Sequence, residues 1–367
     1  FQAGDKITTA HSNVGIGYGV LGALQGGSTP AGDYVAIGIA AGSNLSGAQY
    51  GQCIAIGSYA LNHGYAAQYS IAIGYQALHY ATGSDNIGIG KWAGRSAGQS
   101  SAPYASGHRN ISVGTQTNYT LSTGEDNIAI GHNSNFENRV GSDNVSMGSY
   151  AGYHLRGNGT VAIGYESSRY ASGSNNTFLG YQAGKGGTTS APYSSGNKNI
   201  AIGYQALTGF TTGYENLAIG YEAGEDITTG FYNTLVGYEA GENLTTGFGN
   251  VFMGYEAGSG KIANVGAIAI GYRAGLPSAG SYDVFIGYEA GAQTKGGASV
   301  GIGRGAGRGS NGVTEYGGTS GSANTSVGYY AGNYNLGSHN TKIGKEAGFY
   351  ATGSFNTFVG SEAGKGG

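Results

Sequence analysis

The pattern apolar–small–apolar–Gly returns twenty times along the chain, usually with an Ala three residues after the Gly. The closing glycines run from Gly17 and Gly38 through Gly203 and Gly220 to Gly344 and Gly360. Their spacing is 16 or 17 residues in most cases, 19 and 21 near the N-terminal end, and 23 to 25 at three places. A short period sustained over 367 residues means one supersecondary unit stacked on itself, which predicts a solenoid rather than a globule. The expectation is one elongated domain over residues 1–367.

Composition removes several alternatives. Glycine is abundant at 76 residues, but there is no strict Gly-X-Y triplet and there are only 4 Pro, which argues against collagen. With 17 Lys+Arg against 20 Asp+Glu there is no basic stripe for phosphates, so nucleic acid is not expected as a partner. The 30 Tyr and 39% hydrophobic residues are unlike a disordered tail. The single Cys53 excludes an intrachain disulfide. No apolar run approaches the roughly 18 residues of a membrane-spanning helix, so membrane insertion is not expected. The opening FQAGDKITTAHSN aligns with the second half of a repeat, YEAGEDITTGFYN, and the closing SEAGKGG matches the start of an insert after YQAGKGG. Both ends cut through a repeat, so the chain reads as a window on a longer polypeptide.

One coil, NIAIGYQALTGFTTGYE, shows the logic. Ile200, Ala201 and Ile202 alternate with period two, the mark of a strand with one buried face. The residue before the Gly is apolar in all twenty coils, and two residues earlier it is Val, Ile or Leu in fifteen and Thr in five. These two columns are the expected core. The residue between them is mostly Ala, Ser or Gly, sometimes Phe, and once Lys342. That low charge suggests a thinner second interface, between chains, that opens near Lys342. The Ala three places after the Gly lets the returning segment pack closely. Thr-Thr-Gly, as at 211–213, reads as a second short strand and turn, and Asn199, Asn216, Asn233 and Asn250 read as a stacked ladder. Two buried aliphatics give about 4–6 kcal/mol, whereas ordering a coil's backbone costs roughly 16 kcal/mol or more. Neighbouring coils and other chains must therefore contribute. At about 4.8 Å per coil, the stack would measure on the order of 95 Å.

The coils NIAIGYQAL, NLAIGYEAG and NTFVGSEAG resemble the head repeats of trimeric autotransporter adhesins. They resemble still more closely the N-T-x-x-G-Y-x-A-G repeats of bacteriophage tail fibres. The resemblance covers essentially the whole chain. It implies an all-β fold, a parallel β-solenoid or β-roll of about twenty coils with two short strands each, three chains around one axis, and a role as a host-attachment rod. The coil here is longer than in the adhesin head, and neither stalk heptads nor an anchor barrel is present in this sequence, which tilts the comparison toward the phage fibre.

Three inserts, near 94–110, 184–199 and 307–324, interrupt the period. They bring Tyr104, Tyr193 and Tyr316, with His108, Arg109 and Lys198 beside the first two. Aromatic and polar loops on a rigid scaffold are candidate glycan or receptor contacts; the alternative is that they fill corners or brace a neighbouring chain. Tyr204, Tyr221, Tyr238, Tyr255, Tyr272 and Tyr288 follow six successive closing glycines and would stack as an aromatic ladder. Such a ladder either steadies the solenoid or offers a saccharide-binding strip. Beside it run Glu222, Glu239, Glu256 and Glu289, interrupted by Arg273. These carboxylates must splay into water or meet a cation. A repeating row offers no singular carboxylate pair for glycosidic cleavage, and the scattered His residues form no metal-like cluster.

The sequence therefore points to a non-enzymatic structural fibre or adhesin segment without cofactor or metal. It would form a homotrimer continuing into a longer fibre and present a site for a host cell-surface glycan or protein. It would be located in a virion tail fibre or at an extracellular surface. The alternatives are a bacterial adhesin or surface filament and, further off, a polysaccharide-degrading tailspike.

Overall fold

The structure, a computed structural model, describes residues 3–4, 12–22, 32–45, 51–64, 67–96, 106–260, 263–276, 280–294, 296–309 and 321–366. The fold is an all-β parallel solenoid, and the chain divides into two compact units. One comprises Phe1–Gln182 with Thr189–Tyr193, the other Ala183–Thr188 with Ser194–Gly367. Among the described residues no helix is long and apolar enough to cross a membrane.

The first unit carries β1 (Val14–Ile16), β2 (Val35–Ile37), β3 (Ile54–Ile56), β4 (Ile71–Ile73), β5 (Ile87–Ile89), β6 (Ile111–Val113), β7 (Ile128–Ile130), β8 (Val145–Met147), β9 (Val161–Ile163) and β10 (Thr177–Leu179). The second carries β11 (Ile200–Ile202), β12 (Leu217–Ile219), β13 (Thr234–Val236), β14 (Val251–Met253), β15 (Ile268–Ile270), β16 (Val284–Ile286), β17 (Val300–Ile302), β18 (Thr325–Val327), β19 (Thr341–Ile343) and β20 (Thr357–Val359). Within each unit every strand pairs in parallel with the next, like column on like column, as in Ile54↔Ile71 and Ala218↔Leu235. Among the described residues each coil contributes one three-residue strand rather than two. The Thr-Thr side is still hydrogen-bonded between coils, Thr211 N–H to Thr228 O at 2.9 Å and Thr228 N–H to Thr245 O at 2.9 Å, but it does not adopt strand geometry.

The two faces of the strand are the reverse of the sequence expectation. The central residue points into the coil: Ala201, Leu235, Phe252 and Phe285 are fully buried. The flanking aliphatics point outward, with Ile200 and Met253 each 40% exposed. The reason is the width of the coil. Its interior also receives the Ala column after the closing Gly (Ala206, Ala223 and Ala240, all fully buried), so no room is left for two columns of Ile and Val. What was expected to be a thin interface is the core, and the expected core is an apolar outer face.

Size complementarity fills this narrow interior. Where the central residue is Phe178, Leu235, Phe252, Phe285, Lys342 or Phe358, the fourth residue after the closing Gly is itself Gly. A Cβ on Gly258 would stand 2.4 Å from the Phe252 ring, and one on Gly291 2.2 Å from the Phe285 ring. Where Leu61, Leu78 or Leu207 takes that fourth position, the centre is Ala55, Ala72 or Ala201. In these coils one large group enters from one side or the other; in coils such as Ala218 with Gly224 and Ala269 with Gly275 both positions are small.

The closing glycine is fixed by backbone approach. Gly237 has φ 138°, and a Cβ there would lie 2.3 Å from Gly254 O in the next coil. The Asn ladder forms as expected: Asn233 donates its N–H and Nδ2–H to Asn216 Oδ1 at 3.1 and 2.9 Å, and Nδ2 also donates to Gly247 O at 2.9 Å. Asn110, Asn127 and Asn144 repeat this in the first unit. These bonds satisfy amides that the turns leave buried.

Candidate binding surface

In the second unit the six tyrosines after the closing glycines stack at ring-centroid distances of 4.9, 4.9, 4.9, 5.2 and 4.9 Å, with planes 6° to 11° apart. In-register parallel pairing dictates this, because equivalent residues sit one above another. The inner rings cover each other's faces, and the Arg304 guanidinium lies 5.3 Å over Tyr288. The ladder therefore offers ring edges and hydroxyls to a ligand. The hydroxyls of Tyr221, Tyr238 and Tyr255 are tied to the adjacent Glu222, Glu239 and Glu256, and the bond to Glu239 pushes Tyr238 up to about 12.

The Glu row resolves as the charges require. Arg273 forms a two-pronged pair with Glu256 at 2.8 and 3.2 Å, and Arg308 meets Glu289 at 2.7 Å. Glu222, Glu225 and Glu242 can bring carboxylate oxygens within 4.8 Å of one another. Burial, then the charges of Glu222, Asp226 and Glu242, push Glu225 up to about 7. Burial and like charge thus favour the protonated form of Glu225.

A more varied surface lies in the first unit. Tyr193, from the second insert, stacks on the His154 ring at 4.1 Å, and Tyr170 stacks on the same imidazole at 5.5 Å. The His154 Nδ1–H donates to Glu137 Oε2 at 2.8 Å, and Arg156 approaches the same oxygen at 3.7 Å. Burial holds His154 below the ordinary histidine range, against the pull of Glu137. The Arg169 guanidinium sits 4.9 Å over Tyr150 and 5.1 Å over Tyr170, and pairs with Glu166. Tyr119, Phe136 and Tyr153 form a further stack at 5.0 and 4.8 Å. Aromatic planes flanked by guanidinium and carboxylate groups suit a ligand with apolar ring faces and hydroxyl edges.

Of the residues singled out from sequence, Tyr193 alone among the described insert residues joins this aromatic surface. Arg109 is exposed but bound to Glu125 at 2.7 Å and to Asp126 at 2.7 and 2.9 Å, which lowers the Asp126 carboxyl below its usual range. His108 accepts the Ser84 N–H at 2.9 Å, and Lys198 donates to Glu215 at 2.9 Å. Tyr104 and Tyr316 lie outside the described residues. Sequence reasoning did not single out His154, Arg156, Arg169 or Tyr170. Their signal was a departure from the repeat, since YHLR at 153–156 and RYAS at 169–172 carry aromatic rings and cations where sister coils read EDIT or TGFT. No protein-family model matches the chain, and no curated protein matches it.

Proposed function

We propose that this chain is a non-enzymatic fibre segment, of the kind found in bacteriophage tail fibres, that assembles with copies of itself and presents a contact surface for a host cell-surface glycan or protein. The observation that carries this reading is the outward aliphatic face. Every strand in both units turns two columns of Ile, Val, Leu, Met or Thr away from its own core, and none of these positions is charged. Ten strands per unit, with two outward side chains each at roughly 50 Å², expose on the order of 1,000 Å² per unit, more than the roughly 800 Å² per partner of a stable interface. A surface with this rise and length finds its best complement in the same surface on another copy, and three chains around one axis would cover it. The Tyr193–His154–Tyr170 surface supplies the receptor contact.

Gold-labelled antibody against the chain, imaged by electron microscopy on the native source, tests the assignment. Label on virion tails supports it. Label on cell envelopes or free filaments replaces it with an adhesin or surface filament.

A further inference from the structure

Lys342 is the anomaly of the core. It occupies the central, inward position of β19, between Ser326 of β18 and Phe358 of β20, and is fully buried. The coil is shaped for it: a Cβ on Gly332 would lie 2.9 Å from Lys342 Cδ and 3.2 Å from Nζ, and one on Gly348 2.8 Å from Cδ. Yet its ammonium has a single long hydrogen bond, 3.4 Å to Asn324 Oδ1, an oxygen that already accepts the Asn340 N–H at 3.0 Å. Among the described residues no carboxylate pairs with it. Beside it is a cavity of about 10 Å³ whose polar lining is Thr294, Ser299, Asn324, Ser326, Asn335 and Lys342 itself. The Ser326 hydroxyl and Asn335 Oδ1 are buried without a partner.

We infer that this cavity is an anion site, in which one small monovalent anion of the halide class is enclosed in the coil against the Lys342 ammonium and the Ser326 hydroxyl. The void has room for about one atom-sized guest, which excludes sulfate or an organic acid. A water molecule would satisfy hydrogen bonds but leave the charge. Burial lowers the lysine to about 8, and an ammonium form enclosed here, with no carboxylate beside it, requires compensation. The Ser326 hydroxyl can donate to an anion, and the unpartnered Asn335 Oδ1 lines the same cavity.

The test is amide hydrogen exchange of the full chain in sodium chloride, sodium bromide and sodium gluconate at equal ionic strength, read at Ile343, Gly344 and Gly348. A ligand bound only by the folded coil slows opening by the factor 1 + [L]/Kd. The expected result is protection that rises in proportion to chloride or bromide, by tenfold or more across the titration, and does not rise in gluconate. Lys342→Met abolishes the dependence. Ser326→Ala, a small change in a column that tolerates Ala, keeps the coil folded and weakens the dependence several-fold. Equal exchange in halide and gluconate overturns the inference and leaves a lysine solvated by water. A halide effect that persists undiminished in Ser326→Ala also overturns it.

Discussion

Phe252→Ala removes a fully buried ring that fills the space above Gly258 and beside Gly241. Truncations of this kind cost about 3–5 kcal/mol when the surroundings cannot collapse, and here stacked backbone on both sides prevents collapse. Gly258→Leu in the natural chain is also unfavourable. Its Cβ would stand 2.4 to 2.6 Å from three ring atoms of Phe252, an overpacking of about 1–3 kcal/mol, and its left-handed backbone, φ 64°, adds about 1–2 kcal/mol. Combined, the two substitutions recreate the arrangement that the chain already uses with Ala201 and Leu207, where Leu207 sits at φ 53°. The new Leu then returns about 2–3 kcal/mol of burial against the same backbone cost. Gly258→Leu should therefore destabilise the natural chain by about 2–5 kcal/mol but slightly stabilise Phe252→Ala, a coupling of about 3 kcal/mol. Native-state exchange of the Gly241, Gly254 and Gly258 amides, each bonded to a neighbouring coil at 2.8 to 2.9 Å, reads this locally. Equal costs for Gly258→Leu in both backgrounds would refute the size-complementarity reasoning.

Three other outcomes follow from the geometry. Gly237→Ala places a methyl 2.3 Å from Gly254 O and should cost at least about 3 kcal/mol, seen as loss of exchange protection across β13 and β14. Asn233→Ala leaves the Asn250 N–H and the Gly247 carbonyl without their partner and should lower stability by about 2–3 kcal/mol in urea titration. Glu225 is raised from 4.5 to about 7, so its ionisation opposes folding: its penalty is absent below pH 4.5, grows up to about pH 7 and then stays constant. Glu225→Gln should thus stabilise the chain by about 1 kcal/mol at pH 8, after solvent screening, and have little effect at pH 4.

Much of the fold was legible because the repeat is strict. The period located all the strands, the Ala after each closing Gly marked the tight return, and the Asn column announced its ladder. The orientation of the strand was not legible from hydrophobicity. Ile and Val outrank Ala and Ser on any transfer scale, and it is the small bore of the coil that admits Ala201 and turns Ile200 outward. The clue lay in a correlation between positions: Phe252 with Gly258, Ala201 with Leu207. The binding surface was less legible still, because an insert carries Tyr193 onto His154 across 39 residues of sequence, and the period does not record that.

Sedimentation equilibrium of the purified chain tests most directly whether the outward aliphatic columns join copies of it. The predicted mass is three times the 36.9 kDa of one chain. Replacing Ile200, Leu217 and Ile268 by Thr, the residue that β13 already carries at this place, should reduce the assembly to single chains while the coil's circular dichroism is retained. A natural chain that sediments as a monomer at micromolar concentration would contradict the assignment of that face.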